Sequence, residues 1–319
     1  MNTFLNEPVS TAHPQAGVLE SKILRTLLYY DIFHHPLRAD EIAHYLQGEE
    51  ENEELFAEAL KNLLHKRLVV YGNGYYSIGK AEVLVPYRMD GEKRAVPARR
   101  KAIKYSAWIA SFPFVRGVCI SGSLSKGTMD AAADIDYFII THPGRLWLSR
   151  TLLVLFKKIF LLNSRKYFCI NYFITTDNLQ IPDQNIFTAT ESATLIPTYN
   201  HSLYGQFHRS NEWVRNYYPQ FRMRTEEWCV TEKWKPVKRF SEAIFGGVIG
   251  EKLDAFCFRL TLRYWKRKFS DFDETTFDHR LRSRNNVSKH HPQGFQEKVL
   301  KAYESQIRKF EDEHSLSLG

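Results

Sequence analysis

Cysteine is scarce and unpaired in this sequence: Cys119, Cys169, Cys229 and Cys257 are scattered, with no Cys-x-x-Cys pair among them. That spacing excludes a zinc ribbon and gives no disulfide framework. Cys119 and Cys169 fall in apolar stretches and read as small core residues. A basic-then-apolar leader is also missing at the N-terminus, so no signal peptide is expected. The longest apolar run, Leu146 to Leu162, is interrupted by Arg150, Lys157 and Lys158 and is no membrane span. The expectation is a cytoplasmic chain with no membrane partner.

What is present suits a soluble globular protein. The 319 residues are 44% hydrophobic and 25% charged, enough for two or three domains with a substantial core. The net charge of +8 is unevenly spread: residues 1–80 carry seven Lys or Arg against eleven Asp or Glu. The remainder therefore carries +12, which suits a polyphosphate or nucleic-acid substrate as well as plain solubility.

Residues 1–16, polar with Pro8 and Pro14, read as a flexible leader. Between 17 and 83 the spacing predicts helices over Ser21 to Phe33, Ala39 to Leu46 and Leu55 to Leu64. Leu68 to Tyr71 and Tyr75 to Ile78, joined through Gly72, Asn73 and Gly74, then read as a hairpin. Three helices and a hairpin resemble a winged helix-turn-helix domain. Its third helix would enter the DNA groove, yet Glu49, Glu50, Glu51, Glu53, Glu54 and Glu58 lead into it. Six carboxylates oppose the neutralisation on which DNA binding depends. A packing or partner-binding role is the expectation, and DNA binding is disfavoured.

Residues 84–94, containing Pro86 and Gly91, read as a linker, and a helix is expected from Ala98 to about Ser111. The most informative stretch follows. Val115 to Ile120 is an apolar, β-branched strand that ends at Ser121, Gly122 and Ser123. Gly122 permits a sharp turn and close approach of a ligand. The N–H groups that open the next turn would favour a phosphate. Asp134 to Ile140 is a second strand, whose period of two puts Asp134 and Asp136 on one face. Two such carboxylates call for a cation, and Mg²⁺ combines one or two carboxylates with substrate phosphates.

The order of these parts resembles the nucleotidyltransferase superfamily, the polymerase-β-like fold: a strand ending in Gly-Ser, about ten residues, then Asp-x-Asp on the next strand. The resemblance implies that Gly122 and Ser123 hold a nucleoside triphosphate (ATP by default) and that Asp134 and Asp136 hold Mg²⁺. Lys126 is a candidate for neutralising phosphate charge. In this family a third carboxylate commonly sits in the middle of the next strand. Tyr167 to Ile174 offers Asn171 there instead, expected to share a face with Cys169 and Phe173. Asn cannot serve as a base, so Asp177 and Glu191 are the substitutes to consider.

Beyond residue 182 the sequence reads as helical: short helices between Thr188 and Ser210, a long one from about Val237 to Phe269, and a terminal one from Phe295 to about Phe310. The long helix has weak points at Gly246, Gly247 and Gly250. Arg280, Arg282, Arg284, Lys289, His290 and His291 form a basic loop, either a clamp for substrate phosphates or an exposed surface. The expected class is α+β: a winged helix-turn-helix over 17–83, a small mixed-sheet nucleotidyltransferase core over 84–182, and an all-α C-terminal region over 183–319. The expected function is metal-dependent transfer of a nucleoside monophosphate from an NTP to an acceptor hydroxyl that the sequence does not identify. The alternatives are a catalytically weak nucleotide-binding sensor and, less favoured, a DNA-binding transcriptional regulator. Nothing in the sequence sets the oligomeric state.

Overall fold

The computed structural model describes residues 14–47, 52–164, 166–225 and 228–319, with side chains from residue 17 onward. The chain divides into two compact units. The first comprises residues up to 87 together with 216–220 and 302–319. It opens with α1 (Pro14–Asp31), α2 (Ala39–His44), α3 (Glu53–His65) and the antiparallel hairpin β1 (Val70–Gly72) and β2 (Tyr75–Ser77). Ile23, Leu24, Leu27, Leu60 and Leu63 are buried, as the helical spacing requires. Asn52 caps α3 by accepting the Glu54 N–H at 2.8 Å. Glu53, Glu54 and Glu58 are exposed, while Glu49, Glu50 and Glu51 lie outside the described residues. Most of the expected leader also lies outside them, but residues 14–16 already belong to α1. Residues from the C-terminus complete this unit. Tyr303 meets Tyr29 edge-on at 5.4 Å and accepts a hydrogen bond from Gln47.

The expected linker over 84–94 is corrected: it is the first half of a 30-residue helix, α4 (Ala81–Ala110). A helix-interior proline costs about 3 kcal/mol, and packing here outweighs it. Ala95, Ala98 and Ala102 are buried in a core. Gly91 is a point of close approach rather than a breaker. Its carbonyl accepts Met129 N–H at 3.1 Å, and a Cβ on it would collide with the Thr128 hydroxyl.

The second unit, residues 88–215 and 221–301, contains a six-stranded mixed sheet. In chain order it continues with β3 (Val115–Ser121), α5 (Gly122–Ser125), β4 (Asp136–Thr141), α6 (Leu146–Phe160) and β5 (Cys169–Thr175). Then come α7 (Ile186–Thr194), β6 (Ile196–Tyr199), α8 (His201–Ser210), α9 (Lys235–Phe245), α10 (Val248–Lys268) and α11 (Glu274–Leu281). β7 (Ser283–Arg284), β8 (Val287–Lys289) and α12 (Phe295–His314) end the chain. Strand order is β6-β3-β4-β5-β8-β7; β4 and β5 are parallel and the other neighbours antiparallel.

An all-α C-terminal region is therefore not what the chain forms: β6, β7 and β8 come from it and extend the sheet at both edges. The "basic loop" contains two of those strands. The long helix expected over Val237 to Phe269 is two helices broken at Gly246 and Gly247. Arg145 closes that break by donating to the carbonyls of Phe245, Gly246 and Gly247 at 2.9, 2.6 and 3.0 Å.

Alternation along the strands builds two cores. Val118, Ile120, Tyr137, Ile139, Ile170 and Phe173 pack with Trp147, Leu153, Cys257 and Trp265 on one face. Cys119, Phe138, Ile140 and Ile174 pack with Leu195, Leu203, Tyr204 and Phe207 on the other. No helix among the described residues is long and apolar enough to cross a membrane.

Candidate functional site

The ends of three interior strands meet at one end of the sheet. Ser121, the last residue of β3, pairs with Asp136, the first of β4, and Asp136 in turn lies beside Cys169, the first of β5. Asp134 precedes β4 by two residues rather than standing within it. Ser121, Gly122, Asp134, Asp136, Cys169 and Asn171 all line one cavity of about 820 Å³, within the range typical of small-molecule sites.

Gly122 adopts φ +69°, and a Cβ there would lie 2.6 Å from Asp136 Oδ2. Glycine is thus required twice, for the left-handed backbone and for room beside the carboxylate. Ser123 is not among the lining residues; its carbonyl accepts the Lys126 and Thr128 N–H groups at 3.0 and 3.3 Å. Lys126 turns back to donate to the Gly122 carbonyl at 3.2 Å and pairs with Glu191 at 2.7 Å. It steadies the turn and reaches the cavity only through Glu191, which does line it.

Burial pushes the Asp136 carboxyl up to about 6; Glu191 and Asp134 add to the rise, while Cys169 and Lys126 oppose it. The Cys169 thiol is raised in its turn by burial and by Asp136. Asn171 donates to Asp136 Oδ1 at 3.4 Å and to Cys169 Sγ at 2.9 Å, so its amide stands where a third carboxylate was sought. The strand bulges at this residue: Tyr137 pairs with Ile170 but Phe138 with Tyr172. As a result Phe173 enters the opposite core, and the expectation that it shares a face with Asn171 and Cys169 is corrected.

Asp177 is also removed as a base. It lies beyond Thr175, which pairs with Thr141 at the far end of β4, on the order of 20 Å along the strands from Asp136.

Of the basic segment, Arg280, Arg282 and Arg284 are engaged with Glu297, Asp183 and Asp278. Lys289, His290 and His291 do line the cavity. Burial and the Lys289 charge hold the His291 imidazole down to about 4. Three further lining residues, Arg150, Lys157 and Lys268, carry no functional signal in the sequence, because cations on amphipathic helices look like solvated charges.

Among the described residues no three His, Cys, Asp or Glu side chains cluster closely enough to enclose a metal ion. An Mg²⁺ ion does not need such a cluster, since it completes its shell with substrate phosphates and water. Asp134 and Asp136 open onto the same cavity, and Asp134 adds to the rise that burial imposes on Asp136. This repulsion at Asp136 is what a bound divalent cation would relieve, so the donor set fits.

No family model, curated protein or solved structure matches the chain. The functional reading therefore rests on the geometry of this site.

Proposed function

We propose that this chain is a metal-dependent nucleotidyltransferase of the polymerase-β-like type, moving a nucleoside monophosphate from an NTP to an acceptor hydroxyl. The observation that carries the proposal is the contact between Gly122 and Asp136: the glycine turn after one strand lies directly on the carboxylate opening the next. In this reading the Gly122 turn receives the triphosphate, and Asp134 and Asp136 hold the metal. The acceptor oxygen attacks the α-phosphorus, the α–β phosphoanhydride bond breaks, and pyrophosphate leaves. Mg²⁺, when bound, supplies charge neutralisation at the attacking and leaving oxygens. Glu191, at the cavity wall and held by Lys126, is the group placed to take the acceptor's proton.

A second reading has its own support in Asn171. Its amide donates to Asp136, which suits a nucleotide-binding sensor that retains the site and turns over slowly. The three helices and hairpin of the first unit are read as a winged helix that serves a partner protein rather than DNA, given the exposed Glu53, Glu54 and Glu58. Incubation with α-labelled NTPs, Mg²⁺ and candidate acceptors separates the readings. Label transfer lost in Asp134→Ala establishes the transferase; Mg-dependent binding without transfer establishes the sensor.

A further inference from the structure

Arg150 sits in the second turn of α6 with only 9% of its surface exposed. Its guanidinium lies 4.6 Å from the Trp265 ring centre and 5.8 Å from that of Trp147. It makes no hydrogen bond or ion pair with another described residue, and it lines the cavity. Buried charges are ordinarily paired, because desolvating an unpaired ion is costly. Two aromatic faces offset only part of that cost, which leaves the planar fork of donors facing the cavity without a partner among the described residues. Lys157 and Lys268 line the same cavity.

This cationic wall is not the one that carries the acidic pair. Ile135, Tyr137 and Ile139 enter the core that contains Trp147 and Trp265, so Asp136 projects from the opposite face, with Phe138 and Ile140. The two histidines divide in the same way. His290 packs at 4.7 Å on Trp265, while His291 lies 6.3 Å from Tyr172, which packs on Phe138. The cavity therefore wraps around the N-terminal end of β5, with Asp134, Asp136 and Glu191 on one side and Arg150, Lys157 and Lys268 on the other.

We propose that Arg150, with Lys157 and Lys268, forms a binding site for a phosphoryl group, and that this group belongs to the acceptor rather than to the NTP. An arginine fork matches phosphate oxygens bidentately, and three cations suit a dianion. The assignment to the acceptor rests on the nucleotidyl-transfer reading; the anion site does not.

The test uses the full chain, inorganic phosphate as the first probe and Mg–ATP as the second, with binding followed by calorimetry. Phosphate without Mg²⁺ is expected to bind the wild type, to bind Arg150→Gln about tenfold or more weakly, and to bind Asp134→Ala unchanged. Mg–ATP is expected to bind Arg150→Gln as it binds the wild type. Because Arg150→Gln changes a buried residue, Lys268→Ala at the exposed end of α10 provides a second reading, with phosphate weakened about threefold. Absence of phosphate binding to the wild type, or wild-type phosphate affinity in both basic-site variants, overturns the site. Loss of Mg–ATP binding in a folded Arg150→Gln overturns the acceptor assignment and gives the anion site to the triphosphate. Phosphate binding that is lost in Arg150→Gln, with no Mg–ATP binding to any form, supports the anion site and overturns the nucleotidyl-transfer reading.

Discussion

Gly122 and Asp136 touch: a Cβ on the glycine would stand 2.6 Å from the carboxylate oxygen Oδ2. The turn after β3 and the first residue of β4 therefore form a single unit. Gly122→Ala should force a left-handed backbone onto a residue with a side chain and displace Asp136. The expected cost is about 1–3 kcal/mol, read from denaturant unfolding, together with loss of Mg–ATP binding. A variant as stable as the wild type, with intact binding, would show that the contact is incidental.

Asn171→Asp replaces the amide donor to Asp136 and Cys169 with a third carboxylate. Asp136, already raised to about 6 by burial and its acidic neighbours, then meets another like charge. At pH 8 without metal the variant should lose about 1–3 kcal/mol and recover stability when Mg²⁺ is added. Thermal melts with EDTA and with excess Mg²⁺ measure both. Unchanged stability with no metal response would separate Asn171 from the site.

Asp183 holds two buried cations, Arg282 at 3.0 Å and Lys289 at 3.2 Å. Burial raises the Asp183 carboxyl, and Lys289 and Arg282 outweigh it, so the group stays below its ordinary range. Asp183→Asn leaves Lys289 with no carboxylate, only the Gln296 oxygen at 2.9 Å, and leaves Arg282 only Asp278 at 3.4 Å; it should cost about 3–5 kcal/mol. Adding Arg282→Met should restore part of that loss, as equilibrium unfolding of the single and double variants will show.

His208 is buried against Tyr204, Phe207 and Phe221. Burial, aided by Arg215, lowers its imidazole to about 3. The unfolded chain takes up this proton near pH 6.5 and the folded chain does not. Stability from this group is therefore complete above pH 6.5 and declines as pH falls towards 3. Between pH 6.5 and 4 the loss is about 3 kcal/mol. His208→Phe should flatten that part of the stability–pH curve; an unchanged acid slope would mean the histidine is protonated in the fold.

The strands that carry the site were legible because their alternation is strong and their residues β-branched, and Gly122, Asp134 and Asp136 announced themselves by type and spacing. What the sequence hid has physical reasons. Pro86 and Gly91 look like breakers, but α4 is held by tertiary contacts that no local window contains. β7 has two residues and β8 three, too few to show a period. The bulge at Asn171 arises from pairing with β4, not from β5 itself, so the faces of Phe173 and Asn171 could not be sorted in advance. Arg150 was visible only as an interruption of an apolar run, since its burial depends on α10 and Trp265.

The central claim is that the glycine turn and the paired aspartates form a Mg-dependent triphosphate site. Calorimetric titration of ATP into the full chain, with Mg²⁺ and with EDTA, against Asp136→Ala, tests it most directly. Binding in Mg²⁺, its loss in EDTA and its loss in a folded Asp136→Ala are the predicted results. ATP binding that ignores both the metal and the substitution, or no binding to the wild type at all, would contradict the claim.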